Sequence, residues 1–249
     1  MIEVNESGRR MDQDGDMSID PRLFARFGAG ALPNDLAEET SAMLRALATH
    51  AKVPRDRIAP LGEGRDAFVF VSTGATKLVA HTGSGREQVV GFYFAGDLLK
   101  VPGEGAHHFC LQALVDSELV HIPYREFRVL ADTEPRLLSS LLDACEASLE
   151  RSREKAVALG RKTAPERLAD FLLGLSSRIG TRQDGATVLD LPMSRRDIAD
   201  SLGLTIETVS RQFTHLREDR VIATIGRSFV HLLDLQELQA RSGRFARAA

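Results

Sequence analysis

Glu207, Ser210 and Arg211 lie within about one helical turn of one another, which puts a carboxylate, a hydroxyl and a guanidinium on one side of a helix. Those groups suit base edges in a DNA major groove. A carboxylate accepts from cytosine N4, a guanidinium grips guanine O6 and N7, and a hydroxyl serves either role. Arg195, Arg196, Thr205 and Arg227 supply donors of the kind that hold phosphates, which set register and affinity but carry little sequence information.

The elements needed to present these side chains are spelled out in the run from Ser194 to Leu216, which has helix-turn-helix grammar. Ser194 is placed to cap a first helix, and Asp197 three residues on completes an approximate capping box. Ile198 and Leu202 give that helix its core face, and Ala199 is small where two helices must cross. Gly203 suits a tight turn that needs left-handed backbone. Leu204 plugs the turn, and Thr205 caps a second helix anchored by Val209, Phe213 and Leu216. Ile206, Glu207, Ser210 and Arg211 are left on or near the outward face. Val221–Ile225 and Ser228–Leu232, on either side of Gly226-Arg227, predict a hairpin wing with Arg227 at its tip.

The net charge of −3 divides unevenly. Residues 150–249 hold 17 Lys and Arg against 13 Asp and Glu, and residues 1–149 hold 15 against 22. The basic surplus thus falls on the half that carries the motif. Hydrophobic content of 43% and charged content of 27% fit a globular domain of ordinary kind. No apolar run could cross a bilayer, and no basic-then-apolar leader opens the chain, so a cytoplasmic location without membrane association is expected. The two cysteines, Cys110 and Cys145, form no CxxC pair, so neither a metal nor a cofactor is expected. No HExxH, P-loop, nucleophile–base pair or paired acidic constellation points to an enzyme.

Three textures divide the chain. Residues 1–20 read as a disordered tail and 21–133 as a β-roll domain with flanking helices. Residues 134–160 read as a dimerisation helix, and 161–249 as a winged helix-turn-helix domain. In the β-roll, apolar runs such as Phe68-Val69-Phe70-Val71 alternate with Gly turns. Ahead of it, Leu36, Met43, Leu44 and Leu47 are spaced for one helical face. Pro135 and Gly160 bracket the long helix. Inside it Leu138, Leu142, Cys145, Leu149, Ser152, Ala156 and Leu159 repeat at alternating fours and threes, a coiled-coil seam of nearly four heptads that predicts a homodimer. Ser152 and Ala156 keep the lower seam thin. Gly180–Gly185 reads as a turn-rich break.

The segment Leu191-Pro-Met-Ser-Arg-Arg-Asp-Ile-Ala-Asp-Ser-Leu-Gly-Leu-Thr-Ile-Glu-Thr-Val-Ser-Arg211 resembles the DNA-reading segment of the CRP/FNR superfamily, FixK-like branch. Phe94-Ala-Gly-Asp-Leu98, Ile122-Pro-Tyr124 and Thr163–Phe171 are similar to further family landmarks, so the likeness spans roughly residues 61–238. It implies an α+β protein with a jelly-roll-like N-terminal β-roll sensor domain, a long dimerisation helix and a C-terminal winged helix-turn-helix. It implies a transcription regulator in contact with double-stranded DNA and RNA polymerase. In that branch Glu207, Ser210 and Arg211 stand where a TTGAT half-site is read, and the implied operator is TTGAT-N4-ATCAA.

Two departures limit the likeness. Gly105–Ala113 holds no Arg where the cyclic-nucleotide branch grips phosphate, so cAMP binding is not expected. No cysteine precedes Cys110 and Val120 stands where a cluster cysteine would be, so an iron–sulfur sensor is not expected either. His107, His108 and Cys110 remain as ligand candidates for a haem-gated or nitrogen-oxide-gated alternative. Adjacent strand histidines point to opposite faces and poorly share one ion, so ordinary hydrogen bonding is the expectation for them. Cys145 sits on the seam, where a redox role across a dimer is a minor reading.

Overall fold

The computed structural model describes residues 19–244 apart from 34, 63, 84, 104 and 184, and the chain forms two compact units, Met1–Glu150 and Arg151–Ala249. The predicted tail lies outside the described residues up to residue 18. Ile19 is buried, and the Asp20 carboxylate caps α1 (Pro21–Ala31) by accepting from Arg22 N. Ile19 and Asp20 are thus part of the packed first unit.

In the first unit, α1 and α2 (Glu38–Leu47) precede seven strands, β1 (Thr49–Val53), β2 (Ala67–Thr73), β3 (Ala75–His81), β4 (Glu87–Phe94), β5 (Leu98–Val101), β6 (His108–Ala113) and β7 (Ser117–Pro123). They form two antiparallel sheets in the orders β1-β7-β2-β5 and β4-β3-β6. Strand alternation explains the apolar run in β2. Val69 and Val71 meet Leu119, Leu78 and Leu111 in the core between the sheets, while Phe68 and Phe70 join Val120 and Ile122 on the opposite face. That second face is covered by Phe27 of α1, Leu44 of α2, Phe127 of α3 (Tyr124–Thr133) and Leu137 at the start of α4 (Pro135–Arg161). Its rings interlock, with Phe27 and Phe70 centroids 5.5 Å apart and Phe68 and Phe127 5.1 Å apart. Gly74 turns β2 into β3 at φ +88°, where a Cβ would stand 2.3 Å from Ser117 Oγ. Met43 departs from the predicted apolar face of α2 and is largely exposed, whereas Leu44 is fully buried.

The second unit begins within α4 and continues with α5 (Ala164–Ile179), β8 (Thr181–Gln183), β9 (Ala186–Asp190), α6 (Arg195–Leu202), α7 (Ile206–Glu218), β10 (Ile222–Ile225), β11 (Phe229–Leu232) and α8 (Leu235–Arg241). The stretch expected as turns therefore contains β8, and the wing is the outer half of a four-stranded sheet ordered β10-β11-β9-β8. Sequence reading missed β8 and β9 because their short run has too few alternations to register. The capping box of Thr163 and Glu166 starts α5, whose Leu168, Ala169, Leu172 and Leu175 are buried. Among the described residues, no helix is long and apolar enough to cross a membrane.

Candidate DNA-binding surface

Helix α6 starts as its sequence requires. Ser194 Oγ accepts from Asp197 N at 3.2 Å, and Ser194 N donates to Asp197 Oδ2 at 2.8 Å, closing the box. Such a cap contributes on the order of 1 kcal/mol. Ile198, Ala199 and Leu202 are buried, and Gly203 ends the helix at φ 62°, ψ 41°. A Cβ on Gly203 would also stand 3.2 Å from Leu159 Cδ2. Thr205 then caps α7, its Oγ1 accepting from Thr208 N at 3.1 Å.

Val209, Phe213 and Leu216 fix the underside of α7 in the core, leaving Glu207, Ser210 and Arg211 exposed on its first turns. The Glu207 carboxyl lies below its usual range. Its own backbone amide is the main cause, followed by the Thr205 hydroxyl and the Arg211 charge. Glu207 is therefore a carboxylate at neutral pH, an acceptor only. Arg196 and Thr205 are exposed, and Arg227 projects beside Gly226 at the wing tip, where φ is 62°.

Arg195 is placed differently from its neighbours. Its guanidinium lies over the Phe213 ring, 3.2 Å from the centroid, and is half-buried. Burial, then the Arg217 charge, lowers its pKa to about 10. Arg195, expected at phosphate from the sequence, here makes a cation–π contact that joins α6 to the recognition helix.

Two supporting side chains escaped sequence reading. Arg167 donates through Nε to Lys162 O, through Nη1 to Leu202 O and through Nη2 to Leu159 O, each at 2.9 Å. It thereby joins the C-terminal end of α4 to that of α6, satisfying carbonyls that helix ends leave open. Lys155 Nζ donates to Ser201 Oγ at 3.1 Å, a second tie between the same helices. Neither tie has a motif, because both join residues more than 30 positions apart or depend on how one helix end meets another.

On α4, Leu138, Leu142, Cys145, Leu149, Ser152, Ala156 and Leu159 are all exposed within this one chain, Leu142 at 59%. Leu137, on the other side, is fully buried. In the β-roll, His107 is exposed and lies just before β6, His108 begins that strand, and Cys110 is buried within it. Among the described residues, no group of three or more His, Cys, Asp or Glu is placed to hold a metal ion.

A Crp-like helix-turn-helix domain matches residues 166–241. The chain is 35% identical to the transcriptional activator protein Anr of Pseudomonas protegens, over 73% of this chain and 75% of that protein. It is 37% identical to the nitrogen fixation regulation protein FixK of Bradyrhizobium diazoefficiens, over 70% of this chain and 73% of that protein. The solved structure of FixK2 from Bradyrhizobium japonicum superposes with a TM-score of 0.70 at 29% identity, covering 80% of this chain and 99% of the other. A CooA mutant from Carboxydothermus hydrogenoformans shares the fold at TM-score 0.69 and 20% identity, over 86% and 99% of the two chains. With its reading head, wing and β-roll matched in this way, the chain belongs to the CRP/FNR family of DNA-binding transcription regulators, in the FixK-like branch.

Proposed function

We propose that the protein is a cytoplasmic transcription activator that binds a TTGAT-N4-ATCAA-like palindrome as a homodimer, without cAMP and without an iron–sulfur cluster. The observation that carries this reading is the recognition helix, with Glu207, Ser210 and Arg211 exposed above a fully anchored underside. In the proposal these three read bases, while Arg196, Thr205 and Arg227 hold phosphates. The exposed seam of α4 supports the homodimer, since it leaves leucines in water that a second copy would cover. The lack of Arg between Gly105 and Ala113 supports independence from a cyclic nucleotide, and two cysteines are too few for a four-thiolate cluster. Activation follows from relatives such as the transcriptional activator protein Anr, and contact with RNA polymerase through exposed loops is part of the same proposal.

Fluorescence anisotropy of the ligand-free protein on that duplex, against a scrambled duplex at physiological salt, tests the reading. Binding near 10⁻⁸ M or tighter, at least ~10³ above scrambled, is expected. Glu207→Ala should relax preference at the base it reads, and Arg211→Ala should lower specific binding severely. An equal loss on specific and scrambled DNA for Glu207→Ala would remove its base-reading role. Weak, unselective binding by the wild type would move attention to a ligand in the β-roll.

A further inference from the structure

On the outer face of the β4-β3-β6 sheet, His81 pairs with Glu87 on one side and with His108 on the other, while Cys110 lies diagonally across, opposite Val79. Leu78, Leu111 and Ala113 turn into the inter-sheet core, so this face is the one turned away from it. His81 Nε2 stands 3.2 Å from Cys110 Sγ, and His81 Nδ1 stands 3.6 Å from Glu87 Oε1. Glu87 can only accept, and in the tautomer that places the ring proton on the nitrogen facing it, Nε2 is an acceptor aimed at the thiol. Nucleophile, base and orienting acid stand in that order, the arrangement by which proteins activate a thiol.

We propose that Cys110 is a peroxide-reactive thiol, with His81 as its base, Glu87 as the group that orients His81, and a small neutral hydroperoxide as its substrate. His81 Nε2 takes the thiol proton as the sulfur attacks the nearer peroxide oxygen. The O–O bond breaks, and the leaving oxygen takes the proton back from His81 and departs as water or an alcohol. Sulfur is oxidised by two electrons to a sulfenic acid and the peroxide is reduced by the same two.

Size and charge choose this substrate. Cys110 is only 7% exposed and is in contact with the imidazole, so a small oxidant is favoured over a bulky electrophile. Glu87, more than half exposed beside His81, disfavours anionic oxidants, partly offset by the Lys77 charge. Burial first, and Glu87 second, push the Cys110 thiol up, so the resting group is a neutral thiol and reaction depends on a base in contact with it.

The full-length protein would be treated with hydrogen peroxide at pH 7, trapped with dimedone and quantified at the Cys110 peptide by mass spectrometry. N-acetylcysteine serves as the free-thiol reference, and thermal melts confirm that each variant is folded. Cys110 is expected to react faster than N-acetylcysteine, and His81→Gln to slow it at least ~10-fold, within the range that a positioned base contributes. Glu87→Gln should give a smaller loss in the same direction. A Cys110 rate at or below that of N-acetylcysteine overturns the proposal. So does a folded His81→Gln protein that loses less than tenfold, because the imidazole then only covers the sulfur.

Discussion

At the scale of single residues, the contrast between Arg195 and Arg227 separates two jobs that a sequence motif cannot. Both are arginines beside the reading head, yet one lies on the Phe213 ring and the other is exposed at the wing tip. A phosphate contact releases counterions, so losing it flattens the dependence of log affinity on log salt by about 0.9 per contact. A bracing residue leaves that slope alone and costs specificity by letting the recognition helix shift. Arg195→Met is therefore expected to lower the ratio of specific to random binding with an unchanged salt slope. Arg227→Ala should reduce the slope by about 1 and weaken all sequences alike. A reduced slope in Arg195→Met, from anisotropy titrations across salt, would return Arg195 to the phosphate set. The sequence revealed the reading head because caps, turn glycine and buried anchors are local, all within Ser194–Leu216. The stacking of Arg195 on Phe213 joins two helices and depends on how they cross, and a guanidinium carries no mark of whether it faces phosphate or ring.

At the scale of elements, α4 carries buried positions on one side and an exposed apolar seam beside them, and only the first are satisfied within the chain. Leu137 and Ala158 are buried, whereas the predicted seam is exposed. Charge placed in a seam covered by a second copy would lose its hydration, so Leu142→Asp with Leu149→Asp is expected to give monomers by light scattering. A dimer that persists would assign the main interface to another element.

The lower end of the same helix is tied to α6 by Lys155, whose pKa burial lowers from 10.5 to about 8. The folded chain then holds fewer protons here than the unfolded chain between about pH 8 and 10.5, so stability at this site rises with pH across that window. Below pH 8 the full cost of charging a buried amine is present. Lys155→Met removes the titration. Subtracting the melting profile of Lys155→Met from that of wild type should leave a rise between pH 8 and 10, and a flat difference would show that Lys155 is solvated. The 4–3 spacing announced the exposed stripe, because a heptad is a property of one segment. The ties to Ser201 and from Arg167 were silent, because they depend on where two helix ends meet.

At the scale of the whole molecule, the sequence conveyed the order of its parts better than their internal pairing. The alternation of Gly turns and apolar runs implied the β-roll, but no pattern specifies that His81 pairs with both Glu87 and His108, since sheet register is set by the assembled pleat. The charge division, basic only in the half that holds the reading head, is a property of the same scale. In the proposed dimer that surplus would favour DNA at the two reading heads, which a two-fold axis relates. Two rigidly paired heads can engage only half-sites that lie on the same side of the duplex, about one helical turn apart. Inserting five base pairs into the N4 spacer turns one half-site to the far side without altering any base that Glu207, Ser210 or Arg211 is proposed to touch. Affinity is expected to fall by at least ~10²-fold, to the level of a duplex carrying a single half-site, and to recover partly when ten base pairs are inserted. If the five-pair insertion binds as tightly as the original palindrome, each head reads its half-site alone, and the two-fold arrangement contributes nothing to recognition.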